Sequence, residues 1–243
     1  MKITTISEKK DVDIYAAWHI IGQILIKPQS VIGLSTGQTT IGIHSTVAEI
    51  YQSYHFFTSE VKVFGVDEIV MLPSSSTITC GSRLLEQFVK PLNIPKSNFI
   101  MPATISDDYE EESLKFESKI LQSGGIDLQI LGLGPDGHIA MNLPGSSFES
   151  KTRSVYLSGE LEARLKKQAT FPPDQRLKGI TLGIRTIMNA KKIVLVAKGE
   201  KKSNIVKQAL FGPVSPNVPA SILQLHPDCE FVLDAEAASE LSE

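Results

Sequence analysis

Five short apolar runs constrain this chain more than any other feature: residues 30–34 (SVIGL), 61–66 (VKVFGV), 126–131 (IDLQIL), 192–197 (KIVLVA) and 229–233 (CEFVL). They are rich in Val, Ile and Leu, as strands buried on both faces of a parallel sheet are. Between them lie stretches of helical periodicity. The best bounded is ISDDYEEESLKFESKILQSGG, residues 105–125, where Ser106 is placed to cap, acidic side chains fill the first turn, and Gly124 is placed to end the helix. Strands alternating with helices along the whole chain predict an α/β fold, a doubly wound and mostly parallel sheet with helices on both faces. No linker, repeat or low-complexity tract breaks the pattern, so residues 1–243 are expected to form one domain with a substantial core.

The formal net charge of −3 gives no general pull toward nucleic acid or an anionic membrane. The opening MKITTISEKKDVD lacks the apolar stretch of a signal peptide, and no later run approaches the about 18 apolar residues of a spanning helix, so a cytoplasmic protein is expected. Cys80 and Cys229 lie far apart and outside any metal-type spacing. They read as buried thiols rather than a disulfide or a zinc site.

In open α/β sheets ligands sit beyond the carboxyl ends of the strands, which directs attention to four segments. In VIGLSTGQTTIG (31–42) a buried strand runs into Ser35-Thr36-Gly37-Gln38-Thr39-Thr40 and then a helical pattern through Tyr54. Unpaired N–H groups and hydroxyls at such a helix start suit a phosphate, although an ordinary hydroxyl-capped start has the same composition. The lysine of a Walker loop and the glycine spacing of a dinucleotide fingerprint are both missing. In VFGVDEIVMLP (63–73) Asp67 and Glu68 interrupt an apolar run, which reads either as proton chemistry or as a solvated turn. LGLGPDGHIAMNLPGSSF (131–148) sets Asp136 and His138 among glycines after a buried strand, ahead of Asn142 and Pro144. Asp-Gly is a common turn, but a histidine there is a candidate acid or base near neutral pH. Finally, LVAKGEKKSNIVKQAL (195–210) brings Lys201 and Lys202 to a helix start, either solvated or turned toward an anion.

Taken together, these segments resemble the glucosamine-6-phosphate deaminase/isomerase family, whose relatives include galactosamine-6-phosphate isomerases and 6-phosphogluconolactonases. The resemblance spans nearly the whole chain: STGQTT, VDEIV, GIDLQILGLGPDGHIAMN followed by PGSSFESKTR, then GITLGIRTIMNAKKIVLVAKGEKK and GPVSPNVPASILQLH. It implies a modified Rossmann-like domain, a hexosamine 6-phosphate as small-molecule partner, and no metal or cofactor. It also implies residue roles. Asp67 matches the base that moves a proton between C1 and C2, His138 the group that assists ring opening, and Asp136 the carboxylate beside it. The phosphate would rest on Ser35, Gly37, Gln38, Thr39 and Lys202. The family's phosphate-site arginine has no aligned equivalent among Arg164, Lys166, Lys167 and Arg176. Members occur as monomers and as hexamers, so a homo-oligomer is among the assemblies implied.

Two departures stand out. Deaminases of this family read Asn-Glu-Pro where this chain reads Asn142-Leu143-Pro144, so a glutamate that partners the histidine is missing; an aromatic residue after Asp-Glu is replaced by Ile69. TITCGSRLLEQFVKPLNI is similar to the galactosamine-type members, whereas GPDGH and the missing glutamate are shared with the lactonases. The expected activity is amino-sugar-6-phosphate isomerase/deaminase. A lactonase, a non-catalytic sugar-phosphate sensor and a nucleotide-binding module are the alternatives.

Overall fold

In the computed structural model, which describes residues 1–168, 171 and 174–241, the apolar runs lie side by side. Among the described residues seven parallel strands form one sheet. Their order is β1 (Lys2–Ile6), β10 (Cys229–Asp234), β9 (Lys192–Ala197), β6 (Leu128–Gly132), β2 (Val31–Leu34), β3 (Lys62–Gly65) and β5 (Phe99–Ile100). Val194 and Val196 of β9 pack on one face and Ile193, Leu195 and Ala197 on the other, so this strand serves two cores. On the first face lie α1 (Lys9–Ile26), α2 (Ile41–Tyr54) and α3 (Cys80–Leu84), the last running on into a π-helical turn, Leu85–Val89. On the second lie α4 (Tyr109–Gln122), α6 (Ile184–Met188) and α7 (Ser203–Phe211). This is the doubly wound sheet expected from the sequence.

The order contains a reversal. From β2 the chain winds outward through α2 to β3, and then returns through α4 to place β6 on the opposite side of β2. The loops after β2 and β6 therefore diverge, and a crevice opens between their carboxyl ends.

A second, antiparallel sheet is made of β4 (Asp67–Val70), β8 (Lys178–Thr181) and β7 (Arg153–Tyr156). With α5 (Gly159–Lys166) it encloses a smaller cluster of Ile69, Met141, Leu157, Leu161, Leu165 and Leu177. The run at 61–66 therefore continues past its expected end. Val66 alone separates β3 from β4, its N–H donating to the Leu34 carbonyl and its own carbonyl accepting from the Leu182 N–H. The chain passes from one sheet to the other with no loop.

Three local expectations meet a correction or a confirmation. Asp108, not Ser106, caps α4: its carboxylate accepts from the N–H groups of Glu110 and Glu111, while the Ser106 hydroxyl accepts from the N–H of Asp108. A carboxylate at that position also complements the helix dipole, which a hydroxyl does not. Gly124 follows the end of α4 with φ of 85°, the conformation for which glycine was expected there. Cys80 and Cys229 are both buried free thiols.

At the opposite end of the sheet from the crevice, Asp127 is buried and joins β2 to β6. Its carboxylate accepts from the Val31 N–H at 2.8 Å and from the ammonium groups of Lys27 and Lys191. Burial pushes this carboxyl up, but the two lysines and the N–H outweigh it and hold it below 3.8. Lys191 is largely exposed and Lys27 partly so, so water screens the ion pairs and most of the cost of losing the carboxylate is the orphaned N–H. Asp127→Ala is expected to lower unfolding free energy by about 2 kcal/mol in urea titration. In the wild type the charge-dependent part of this contribution is complete above the unfolded value of 3.8 and is lost as pH falls through the lower folded value.

Candidate active site

The loop after β2 turns inward at its start and faces open space farther on. The Ser35 hydroxyl donates to the Ile130 carbonyl at 3.0 Å, and the Thr40 hydroxyl donates to the Ser35 carbonyl at 3.0 Å. Thr40 precedes α2 without capping it through its side chain, which sets aside the hydroxyl-capped reading. Gly37 has φ of 143° and nothing within 4 Å of where a Cβ would stand. Gln38 is exposed, and Thr39 lies over Gly132 at the end of β6, 3.5 Å from that glycine's missing Cβ. Of the residues expected to hold an anion, Ser35 thus shapes the loop, while Gly37, Gln38 and Thr39 border the crevice.

Lys202 comes to the same place from the other side. A short 3₁₀ turn, Glu200–Lys202, follows β9, entered through Gly199 with φ of 90°. The Asp234 carboxylate accepts the Gly199 N–H and so fixes the turn. The Lys202 ammonium donates to the Leu133 carbonyl at 2.8 Å, one residue beyond the glycine that Thr39 covers. Lys201 is exposed.

The acidic pair at 67–68 divides between the two faces of β4, as successive residues of a strand do. Glu68 is 1% exposed and binds the first turn of α3, Oε1 accepting from the N–H groups of Ile69 and Cys80 and Oε2 from that of Gly81. Burial pushes its carboxyl up to about 7 against these three donors. It is neither a solvated turn residue nor a group open to the crevice. Asp67 faces the other way and is half-buried. Its carboxyl is pushed up to about 6 by loss of water, opposed by a hydrogen bond from the Cys80 thiol and by the charges of His138, Arg164 and Arg83.

His138 is held by its own loop. Its Nδ1 lies 2.5 Å from Asp136 Oδ1, and its backbone N–H donates to the same oxygen at 3.2 Å. Burial pushes the Asp136 carboxyl up, but its hydrogen bond and attraction to His138 prevail and hold it below the usual range. A carboxylate at Nδ1 keeps the proton on that nitrogen and leaves Nε2 to accept. The imidazole lies flat over Gly134, where a Cβ would stand 2.2 Å from Nδ1. Beyond it Asn142 is fully buried, donating to the carbonyls of Ile139 and Leu182 and accepting from the Arg153 guanidinium at 2.8 Å.

Leu143 and Ile69, the two departures from the deaminase pattern, pack in the same small apolar cluster beneath the antiparallel sheet. The exchanges are thus coupled in space: where the resemblance implies a polar position and an aromatic one, this chain has contiguous aliphatic packing. Asp136 orients the imidazole without any group at position 143.

Of the four cations left unaligned, three are used elsewhere or stay in solvent. Lys166 pairs with Glu162, Arg176 stacks on Tyr156, and Lys167 is exposed. Arg164 of α5 is the one whose charge reaches Asp67. Arg83, not singled out in the sequence, reaches it from α3 and donates to Gln168 at 2.5 Å, joining α3 to the segment after α5.

Residues 20–231 match the family described as glucosamine-6-phosphate isomerases/6-phosphogluconolactonase. A glucosamine-6-phosphate deaminase of Clostridium botulinum (strain Langeland) is 38% identical over 241 residues, 99% of each chain. A solved structure of a monomeric glucosamine-6-phosphate deaminase superposes with a TM-score of 0.94 at 30% identity, covering 99% of this chain and 100% of the other. A 6-phosphogluconolactonase from Trypanosoma cruzi shares the fold, with a TM-score of 0.80 at 21% identity over 100% of this chain and 97% of its own.

The clearance over Gly134 provides a local test. Gly134→Ala is expected to displace the imidazole and remove the low-field Nδ1–H proton resonance of His138 in NMR spectra, while the far-ultraviolet circular dichroism stays native.

Proposed function

Since this chain belongs to the glucosamine-6-phosphate isomerase/6-phosphogluconolactonase family, we propose that it is an amino-sugar-6-phosphate isomerase/deaminase. Its substrate is glucosamine 6-phosphate or the galacto epimer, which with water yields the ketose 6-phosphate and ammonia. The observation that carries this reading is Asp67, half-buried at the junction of the two sheets, its carboxyl pushed up to about 6 by loss of water. A general base works best when its pKa lies near the working pH and its partner across the substrate has a different protonation role.

The phosphate rests in the crevice between β2 and β6, on the open side of Gly37 to Thr39 and the ammonium of Lys202. His138 Nε2 takes the anomeric hydroxyl proton and delivers it to the ring oxygen, so the C1–O bond of the ring breaks and an aldehyde is left at C1. The Asp67 carboxylate then takes the proton from C2. The released pair forms a C1=C2 double bond, and O1 gains a proton from solvent. Asp67 returns its proton to C1, which leaves an iminium at C2. Water adds there, and the C–N bond breaks to give the ketone and ammonium. Asp136 keeps the imidazole in the tautomer that accepts at Nε2, a task for which the family glutamate at position 143 is not needed.

The two sheets are proposed to act as a single domain. The cytoplasm is the proposed setting, because a hexosamine phosphate is held inside a membrane by its charge. Among the described residues no helix is long and apolar enough to cross a membrane.

Purified protein incubated separately with glucosamine 6-phosphate, galactosamine 6-phosphate and 6-phosphogluconolactone is expected to release ammonia and ketose phosphate from an amino sugar. Opening of the lactone alone, or silence with all three, contradicts the reading. Asp67→Asn is expected to lower kcat by about 10²–10⁴-fold, the range of a positioned general base, with KM little changed. Lys202→Ala is expected to act mainly on KM, by about tenfold for a lost charged contact to phosphate. The acid limb of kcat/KM is expected at about 6, with activity lost below it as Asp67 takes up a proton.

A further inference from the structure

Lys202 and the loop after β2 reach the β6 end from different elements, and one ion pair holds those elements together. Lys198, the residue after β9, places its ammonium 2.6 Å from Asp13 Oδ1 of α1, and the two side chains are only 14% and 15% exposed. The other carboxylate oxygen lies against the first turn of α2, where a Cβ on Gly42 would stand 2.2 Å from Asp13 Oδ2. A glycine inside a helix weakens it relative to alanine, and here the missing side chain makes room for the carboxylate. The start of α2 is continuous with the loop after β2, since the N–H groups of Thr40 and Ile41 donate to the Gly37 carbonyl at 3.2 Å and 3.1 Å. On the other side Lys198 is followed at once by Gly199, whose N–H the Asp234 carboxylate accepts, and then by the turn that carries Lys202. Asp13 thus bridges the helix that follows one segment of the crevice and the strand exit that leads into the other.

We propose that Asp13 and Lys198 are positioning residues for the phosphate site: their ion pair fixes the Gly37–Thr39 segment relative to the Lys202 ammonium, so that a phosphate meets both at once. The proposal rests on the reading of those residues as the phosphate site. Neither member of the pair is assigned a contact with substrate, and the Lys198 ammonium is engaged by the carboxylate. A pair largely withdrawn from water is screened far less than one on the surface, so it holds its geometry at physiological salt. Groups already held in their binding arrangement take up a ligand without the cost of ordering them first. That advantage is the same for the ground state and the transition state, so its loss falls on KM and leaves the proton transfers at Asp67 and His138 as they are.

The test is calorimetric binding of inorganic phosphate, together with kcat and KM for glucosamine 6-phosphate or its galacto epimer. Asp13→Asn and Lys198→Met are each expected to weaken phosphate binding and raise KM by about three- to tenfold, with kcat within about twofold of wild type, and the double variant to lose no more than either single one. Charge alone gives a different pattern, because removing the carboxylate would tighten phosphate and removing the ammonium would weaken it. Opposite signs in the two variants therefore overturn the proposal, as do losses that sum in the double variant. A lower melting temperature with phosphate affinity and KM unchanged overturns it too, since the pair would then serve stability alone. Where Lys198→Met does not fold, Asp13→Asn decides: weaker phosphate binding supports the role, and equal or tighter binding refutes it. Lys202→Ala separates the two readings. If it binds phosphate as wild type does, the phosphate-site reading falls and the pair's role with it; if it binds more weakly while the Asp13 and Lys198 variants match wild type, the positioning role alone is refuted.

Discussion

The passage of the chain from the parallel sheet into the antiparallel one across the single residue Val66 sets the geometry on which the rest of the site depends. With β3 ending at Gly65 and β4 beginning at Asp67, the backbone is held by ladder hydrogen bonds on both sides of the junction. The alternation of a strand then sends Asp67 and Glu68 to opposite faces. Glu68 is satisfied by three backbone N–H groups, so a deeply buried carboxylate has partners in place of water. Asp67 is half-buried and has a higher proton affinity than an exposed aspartate. One carboxylate organises the short helix α3, and the other is left half-buried on the opposite face of the strand.

The other half of the site is built on a different principle. His138 is oriented by a residue two positions earlier in its own loop, and glycine at 134 leaves the space in which the ring lies. Such a local arrangement does not depend on the packing beneath it, which is why the aliphatic pair Ile69 and Leu143 can occupy a continuous apolar cluster without releasing the imidazole. The loop after β2 and Lys202 meet over adjacent residues of the β6 end, Gly132 and Leu133, although they are far apart in the chain. The reversal of strand order between β2 and β6 brings them together.

Much of this was legible in the amino-acid sequence because the controlling physics is local. Runs of aliphatic residues bounded by helical periodicity gave the parallel sheet, and glycine after α4 marked its end. The second sheet was not legible in the same way: β4, β7 and β8 are short, pair antiparallel across long sequence separations, and owe their partners to tertiary packing. Nor could adjacency in sequence show that Asp67 and Glu68 serve different ends, since that follows from strand alternation at a junction whose position was not evident. The cap of α4 was assigned two residues early because hydroxyl and carboxylate are both good caps and several stand in a row. Arg83 lacked any local signal, and Arg164 stood among four cations that sequence spacing could not rank. Cys80, read as a buried thiol, is buried, and its backbone N–H is held by Glu68.

The most direct test of the central claim, that Asp67 carries a proton between C2 and C1, is to follow the fate of deuterium placed at C2 of glucosamine 6-phosphate. The account predicts that ketose formation is slowed by the label, that deuterium appears at C1 of the product or exchanges into water, and that Asp67→Asn does neither. Formation of the ketose at the wild-type rate by Asp67→Asn, with the label still leaving C2, would contradict it.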